Sequence, residues 1–276
     1  MKAWLDGAVV DLEQARVSVL DHGLTVGDGV FETAKVVDGV PFALTRHLER
    51  LAASAAGLGL TPPPEDALRA AVAATLTANA DVLADPLRLR ITLTGGPGPL
   101  GSERGGAGPT LVVALAPMRS WAPTAKAVVV PWTRNERAAT AGLKTTSYAD
   151  NVVALARAKA AGGTEALMAN TAGDLCEGTG SNVFLVLDGE LVTPPLSSGC
   201  LAGVTRALVL EWTGAVERDL PMVALQEASE VFLTSSTRDI QGLHAVDDRE
   251  LAGAPGPATA EAARVFAARA AADVDP

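Results

Sequence analysis

Cysteine is nearly absent from this sequence: Cys176 and Cys200 are the only two among 276 residues. Two cysteines are too few for a disulfide framework, and neither lies in a CxxC or histidine-rich cluster of the kind that binds zinc. The composition therefore indicates a protein of a reducing compartment. We expect a cytoplasmic location and no bound metal.

Positive charge is also in deficit. Lysine and arginine together number 22 against 32 aspartates and glutamates, which gives a formal net charge of −10. Such a chain repels phosphate backbones and anionic lipid surfaces, so we expect no nucleic-acid partner. A small anionic substrate stays compatible with this charge, because a few basic side chains can make one pocket positive.

Long hydrophobic runs are missing as well. The sequence has no stretch of about 18 uncharged apolar residues, and the segment Met1–Gly7 reaches Asp6 before any apolar core of signal-peptide length. We therefore predict neither export nor a membrane span. Aromatic residues make up only 4% of the chain but hydrophobic residues 48%, which indicates a sizeable core built mainly from Ala, Val and Leu.

The first half of the chain alternates short apolar runs with turn signals. Asp-Gly pairs at 6–7 and 38–39 predict hairpins. The patterns further predict a helix over 46–57 capped by Thr45, a second helix over 65–80, and strands over 87–94 and 110–116.

The second half has a different pattern, in which predicted strands and helices alternate. It predicts strands over 165–169, 182–187, 190–193 and 230–234, and helices over 148–161, 204–213, 221–227 and 258–271. A length of 276 residues favours two domains of α+β (mixed α/β) type. We predict a small N-terminal α/β domain over 1–117, a proline-containing linker over 118–124, and a larger C-terminal domain with mixed sheets over 125–276.

Lysine is scarce enough, with five residues against seventeen arginines, for each one to be considered by itself. Lys144 lies in the polar turn 142–148 directly before a predicted helix, where it can stand at the mouth of a cleft. A lysine that forms a Schiff base needs partial desolvation to be nucleophilic at neutral pH. Taken alone, the position fits a solvated loop lysine better.

Three polar turns follow Lys144 along the chain. Glu177 stands in a tight turn before a predicted buried strand, where a carboxylate becomes a fixed anion suited to a protonated pyridine nitrogen. Val204 and Thr205 begin a predicted helix after Gly203, so their N–H groups face any phosphate. The Ser/Thr turn 234–237 offers a second set of phosphate donors. Each segment by itself also fits an ordinary surface turn.

In their order and spacing these motifs resemble the class IV aminotransferases, which are fold type IV pyridoxal-phosphate enzymes. The matching segments are Gly27–Thr33, His47–Leu51, Lys144, Glu177–Asn182, Gly203–Arg206 and the Thr/Ser turn before Arg238. The resemblance implies a two-domain fold with pyridoxal 5′-phosphate in the cleft. It also implies a homodimer whose interface contributes to the pocket.

The resemblance further implies roles for single residues. Lys144 would form the Schiff base and then move the substrate proton, and Glu177 would pair with the pyridine nitrogen. Tyr148 would bond the phenolic oxygen of the cofactor, although it lies one residue closer to the lysine than in branched-chain members. His47 is expected to be a packed structural histidine.

Binding of the cofactor phosphate is expected to involve both halves of the chain. Arg50 would clamp the phosphate bidentately. The main-chain groups of Val204 and Thr205 and the hydroxyl of Ser236 would assist.

Register against the family and period-two alternation place four residues on the substrate side: Phe31, Thr33, Lys35 and Arg90. A cationic pocket suits a substrate that carries carboxylates. The chain lacks the arginine that D-amino-acid members carry after the strand ending at Thr94, and it lacks the aromatic residue of branched-chain enzymes at position 90. Phe31 replaces the tyrosine common to both groups.

These departures favour 4-amino-4-deoxychorismate lyase, a folate-biosynthesis enzyme that eliminates pyruvate to give 4-aminobenzoate. The alternative is an aminotransferase of branched-chain or D-amino acids that uses a 2-oxo acid as acceptor. A third hypothesis, a non-catalytic binding protein of the same fold, requires loss of the lysine or its partners.

Overall fold

The chain forms two compact units in the computed structural model, which describes residues 1–83 and 86–276. The first unit consists of Met1–Arg119, Leu143–Ser147 and Val274–Pro276, and the second of Ser120–Gly142 and Tyr148–Asp273. Two short segments from late in the chain thus belong to the first unit. The division into domains over 1–117 and 125–276 stays a prediction. Lys144 lies within the range predicted for the later domain, but it packs with the first unit.

The first unit contains six strands and three helices among its described residues. In chain order these are β1 (Lys2–Leu5), β2 (Ala8–Asp11), α1 (His22–Thr25), β3 (Gly29–Val37), β4 (Val40–Pro41), α2 (Leu44–Gly57), α3 (Glu65–Thr77), β5 (Leu87–Thr94) and β6 (Thr110–Pro117). A short 3-10 helix covers Ala80–Val82.

The strands form one antiparallel sheet in the order β2-β1-β6-β5-β3-β4. Both predicted Asp-Gly hairpins are present: Asp6 and Asp38 adopt φ angles of 44° and 49°, and the glycine after each is also at positive φ. Positive φ at both turn positions matches the strand twist of a two-residue hairpin. One face of the sheet packs on α2 and α3 through a core that includes Val36, Leu51 and Leu89.

Helix α2 begins earlier than predicted, and Thr45 is not its cap. The helix starts at Leu44 because Ala43 adopts a left-handed conformation with φ 53°, and no side chain of the described residues caps this end in the usual way. Instead, the Asp275 carboxylate accepts hydrogen bonds from the Thr45 amide and hydroxyl, and the Val274 carbonyl accepts one from the Ala43 amide. The C-terminal residues therefore supply the acceptors that the local sequence lacks.

The second unit contains nine strands and four helices among its described residues. They are β7 (Thr124–Arg134), α4 (Ala149–Ala160), β8 (Glu165–Asn170), β9 (Leu175–Gly178), β10 (Asn182–Leu187), β11 (Glu190–Thr193), α5 (Val204–Thr213), β12 (Val216–Glu217), α6 (Ala224–Glu227), β13 (Glu230–Ser235), β14 (Asp239–Val246), β15 (Arg249–Glu250) and α7 (Pro257–Ala272). Helix α6 is shorter than the predicted 221–227, because Pro221 forms a β-bridge with Asp174 and residues 222–223 form a turn.

These strands build a mixed sheet in the order β12-β11-β10-β13-β14-β7-β8-β9, with β15 beside β14. The pairs β11–β12, β14–β7 and β7–β8 are parallel, and the others are antiparallel. A core that includes Leu167, Leu185 and Leu233 lies on this sheet. None of the helices in the described part of the chain has both the length and the apolar composition needed to cross a membrane.

Candidate active site

Backbone hydrogen bonds fix Lys144 against strand β3. The Lys144 carbonyl accepts from the Phe31 amide at 3.0 Å, and the Gly29 carbonyl accepts from the Thr146 amide at 2.8 Å. On the other side, the Lys144 amide donates to the Ser54 hydroxyl on α2 at 3.1 Å. A loop segment tied to both a strand and a helix has little freedom. The lysine is therefore not an ordinary solvated loop residue.

The ring of Phe31 contacts two cations. The Lys144 ammonium lies 4.4 Å from the ring centre, and the Arg90 guanidinium carbon lies 3.3 Å from it. Phe31 is only 5% exposed. Arg90 on β5 also donates from Nε to the Thr92 hydroxyl at 3.2 Å. Cation–π contacts of this kind hold the positive groups at a defined place beside a dry surface.

Two further residues of the predicted substrate face have different surroundings. Thr33 pairs across the sheet with Arg90, so it lies next to the Phe31–Arg90 stack. Lys35 places its ammonium 4.8 Å from the centre of the Phe42 ring, two pairs further along β3. The structure thus brings Phe31, Arg90 and Lys144 together, with Thr33 beside them and Lys35 over a different ring.

Arg50 forms a buried cluster with Glu32 and His47 that the sequence motifs do not reveal. Its Nε and Nη2 donate to the two oxygens of Glu32 at 2.8 and 2.7 Å, and His47 Nδ1 lies 2.6 Å from Glu32 Oε2. Burial alone would raise the pKa of Glu32, but the charge and hydrogen bonds of Arg50 and His47 outweigh it and lower the pKa to about 2. Burial lowers the pKa of His47, which favours the neutral ring. Glu32 is therefore a buried anion held by Arg50.

Glu177 lies within the buried strand β9 of the second unit, one residue before its end, and not in the turn expected from the sequence. The side chain is not a surface group, because the residue is 8% exposed. Its Oε1 accepts from Arg134 Nε at 3.0 Å and its Oε2 accepts from the Leu201 amide at 2.9 Å. Arg134 in turn donates to the Asn151 amide oxygen, and Asn151 donates to the Thr179 carbonyl. One cation and one backbone N–H fix the carboxylate in place.

A second buried carboxylate, Glu165 at the start of β8, supports the turn after Glu177. It accepts from the Thr179 amide, the Ser181 hydroxyl and Arg238 Nη2, each at 3.0 Å. Arg238 also stacks on Trp121 at 3.9 Å. Sequence motifs did not identify Glu165, because it reads as the first residue of a plain strand. One carboxylate thus joins the 179–181 turn to the turn after β13, where Ser236 lies half-buried.

The N-terminus of helix α5 has the features of an anion site. Gly203 precedes it, and within the described part of the chain no side chain caps the first turn. A Cβ on Gly203 would collide with the Asn182 amide oxygen, so glycine permits this close packing. Asn182 Nδ2 donates to the Leu201 carbonyl at 2.9 Å, and both Val204 and Thr205 are buried. Unpaired N–H groups at a helix start attract phosphate.

Tyr148 occupies the position just before helix α4 and is half-buried, with its carbonyl accepting from the Val152 amide. Within residues 1–83 and 86–276, no group of three His, Cys, Asp or Glu side chains is arranged to hold a metal ion. The thiols of Cys176 and Cys200 are buried, which raises their pKa and disfavours the reactive thiolate.

An immobilised lysine, a buried carboxylate with a fixed orientation and an uncapped helix start are the groups that pyridoxal phosphate requires. The amine forms the covalent link, the carboxylate pairs with the ring nitrogen, and the helix start suits the phosphate. Each unit by itself holds donor groups of the kinds that this cofactor uses. They define the class of a lysine-dependent pyridoxal-phosphate enzyme.

Comparison with known proteins gives the family. The family model for amino-transferase class IV matches residues 29–246, and the chain belongs to this family. The chain is therefore a pyridoxal-phosphate-dependent enzyme, either a transaminase or a lyase, and this confirms the predicted cofactor and the resemblance noted in the sequence.

Relatives and solved structures agree with that assignment. A provisionally named branched-chain-amino-acid aminotransferase of Methanocaldococcus jannaschii is 35% identical over 259 residues, which are 90% of this chain and 89% of that protein. A D-alanine aminotransferase of Bacillus licheniformis is 27% identical over 272 residues, which are 94% and 93%. The branched-chain aminotransferase of Thermoproteus uzoniensis, solved with norvaline, superposes with a TM-score of 0.88 at 32% identity and covers 97% of this chain and 93% of that one. The predicted fold type IV architecture is confirmed.

Proposed function

We propose that the protein is an aminotransferase that transfers the amino group of an amino acid to a 2-oxo acid. The observation that supports this proposal is the Arg90 guanidinium stacked on Phe31, because a cation beside the ring that also contacts Lys144 suits the carboxylate of an amino acid. The relatives named above are aminotransferases of branched-chain or D-amino acids, and they support the same activity. None of these three is a lyase.

The lyase favoured by the sequence motifs is thus the less supported of the two hypotheses. Its basis was the lack of an aromatic residue at 90 and the presence of Phe31 in place of tyrosine. The contacts of these two residues do not favour the lyase, since a stacked arginine also suits the carboxylate of an ordinary amino acid, and the named relatives are aminotransferases. A non-catalytic role has no support, because Lys144, Glu177 and Arg50 are all present and buried or half-buried.

Substrate binding is assigned to the β3 and β5 face of the first unit. Arg90 would bind a substrate carboxylate with charge-assisted hydrogen bonds, since its planar fork matches the two carboxylate oxygens. Phe31 would form an apolar wall that excludes water from the Lys144 amine. Thr33 and Lys35 would complete the polar side of the pocket.

The bound cofactor supplies an electrophilic carbon for the substrate amine and a ring that withdraws electrons from the adjacent carbon. Lys144 Nζ would take the proton from the substrate carbon that bears the amino group. In the second half of the transfer, Lys144 Nζ would deliver the proton. Glu177 would hold a proton on the pyridine nitrogen, because its carboxylate is fixed by Arg134 and the Leu201 amide.

Phosphate binding would draw on the Arg50 guanidinium, the amides of Val204 and Thr205, and the Ser236 hydroxyl. Tyr148 would donate to the phenolic oxygen of the cofactor. These assignments of residues are part of the same proposal.

The activity assay should separate the two reactions. The holoenzyme is incubated with L- and D-alanine, leucine and valine plus 2-oxoglutarate or pyruvate, and separately with 4-amino-4-deoxychorismate. Keto-acid formation from an amino acid, without release of 4-aminobenzoate, is the expected result. Release of 4-aminobenzoate with no keto acid from any amino acid would replace the proposal with the lyase.

We also propose that the protein is a homodimer. Several large apolar side chains are exposed within ten residues of the first unit: Val17, Val19, Leu20, Leu24 and Val26. Val19 and Leu24 are 77% and 66% exposed, and a high density of exposed apolar side chains is typical of a surface that binds a partner. Light scattering after gel filtration should give twice the chain mass, and Val19→Asp with Leu24→Asp should shift it toward the single chain. A monomeric parent protein would exclude the proposal.

A further inference from the structure

Glu32 is a charged residue on the core side of strand β3. It is 1% exposed, whereas the next residue back along the strand, Phe31, contacts Lys144 on the opposite face. The strand neighbours that share its face are core residues: Val30, Ala34 and Val36. A carboxylate in such surroundings loses its hydration and must be compensated by strong partners.

The compensation comes from one cation and one neutral donor. Arg50 donates from Nε and from Nη2, which occupies both oxygens of Glu32 in a parallel, two-bond arrangement. His47 Nδ1 adds a third contact at 2.6 Å to Oε2. Arg50 and His47 lie one turn apart on α2, so a single carboxylate on the sheet contacts two residues on the same face of the helix.

The buried pair has a geometric consequence for Arg50. Glu32 occupies the edge of the guanidinium that Nε and Nη2 form. The bidentate phosphate clamp expected from the sequence therefore cannot use the Nε edge. An arginine already fixed by a carboxylate also loses less side-chain freedom when it binds a ligand.

Stabilisation of the fold does not by itself explain a buried ion pair such as Glu32 and Arg50. Replacing a buried ion pair by apolar residues of similar size is often neutral or stabilising, whereas removing one partner is harmful. Polar groups of this kind are retained where orientation matters, and Arg50 is the residue to which the phosphate is assigned.

We propose that Glu32 is a positioning residue for the cofactor phosphate: it holds the Arg50 guanidinium in the orientation that binds the phosphate, and His47 completes the hold. The inference rests on the proposed phosphate role of Arg50. It assigns to Glu32 a function in cofactor retention that acts through Arg50.

For the variant Glu32→Gln, simple electrostatics and the positioning role predict opposite changes in the affinity for pyridoxal phosphate. Glu32→Gln removes a negative charge near a bound dianion, so charge alone would tighten phosphate binding. If Glu32 positions Arg50, the same change weakens binding instead, by about tenfold, the scale of one charge-assisted hydrogen bond. Pyridoxal, which lacks the phosphate, should bind both proteins alike. A merely structural role would weaken pyridoxal and pyridoxal phosphate together.

The experiment measures the equilibrium dissociation constants of pyridoxal phosphate and pyridoxal by absorbance, after each purified variant has been dialysed against graded concentrations of either compound. Glu49→Gln is the matched control, because Glu49 is exposed beside Arg50 on α2 and carries the same charge. It should leave both constants unchanged. Unchanged or tighter pyridoxal-phosphate binding by Glu32→Gln would overturn the proposal.

Variants at Arg50 test the idea without altering the buried carboxylate. Arg50→Lys keeps the charge but cannot make the two parallel bonds, so it should lose about as much pyridoxal-phosphate affinity as Arg50→Ala. Near-normal affinity of Arg50→Lys would also overturn the positioning role. If even Arg50→Ala binds the cofactor normally, the phosphate assignment of Arg50 fails, and this is distinct from failure of Glu32 alone.

Discussion

Arg90 and Phe31 are stacked across two neighbouring strands, with the guanidinium carbon 3.3 Å from the ring centre. Phe31 lies opposite Thr92 in the sheet, so the arginine reaches diagonally across the β3–β5 ladder to cover the ring. The same ring lies 4.4 Å from the Lys144 ammonium, so it holds both cations beside one apolar surface.

Replacement of Arg90 by Gln should impair amino-acid binding selectively. We expect KM for amino acids to rise by roughly 10-fold or more, because a charge-assisted contact to the carboxylate is lost. An amine that has no carboxylate should react no worse than before. Steady-state kinetics with both substrate types provide the measurement.

Arg88→Gln is the control for that experiment, since Arg88 lies on the same strand and is exposed. It should leave KM unchanged. An equal rise of KM for amino acids and simple amines would show that Arg90 supports the structure of the pocket and does not bind the carboxylate.

Lys144→Ala should abolish covalent attachment of the cofactor. The backbone of this lysine is hydrogen-bonded to Phe31 and Ser54, and no other lysine shares those contacts in the described structure. Borohydride reduction of the parent protein, followed by peptide mapping, should locate the cofactor on Lys144. Lys159→Ala, a change at an exposed lysine of α4, should keep the label. A label on Lys126 or Lys159 would refute the assignment.

Much of the fold could be predicted from local patterns. The two Asp-Gly hairpins, strand β5 and helix α4 were predicted within a residue or two, because period-two or helical alternation and turn residues agree there. Strands β9 and β14 were missed. β9 is four buried residues without polar alternation, and β14 contains Gly242 and His244, which weaken the strand pattern.

The site could be predicted only in part. Lys144 and Glu177 stand in recognisable motifs, but the assignment of Lys144 to the first unit depends on hydrogen bonds to residues more than one hundred positions earlier. Such pairing leaves no local signal. The Glu32–Arg50 pair was missed although both residues were quoted in motifs, because their spacing of 18 residues has meaning only once β3 packs on α2.

The lowered pKa of the buried Glu32 predicts that the stability of the protein depends on pH. Its pKa is lowered to about 2 in the folded protein against an ordinary 4.5, so its contribution to stability is present above pH 4.5 and is lost as the pH falls toward 2. Glu32→Gln cannot titrate. The stability difference between parent and variant should therefore shrink by about 3 kcal/mol from pH 5 to pH 2. Urea unfolding at several pH values measures it, and a constant difference would show that the carboxylate is not perturbed.

Replacement of Glu177 by Gln should separate cofactor occupancy from rate. The amide keeps the size of the side chain and can still accept from the Leu201 amide, but it loses the charge that Arg134 fixes. Cofactor should stay largely bound, because the phosphate contacts remain. Proton removal by Lys144 should slow severely, since the ring nitrogen is no longer held protonated. Single-turnover kinetics on samples of known occupancy are the measurement, and a fully loaded variant with parental rate would refute the role of Glu177.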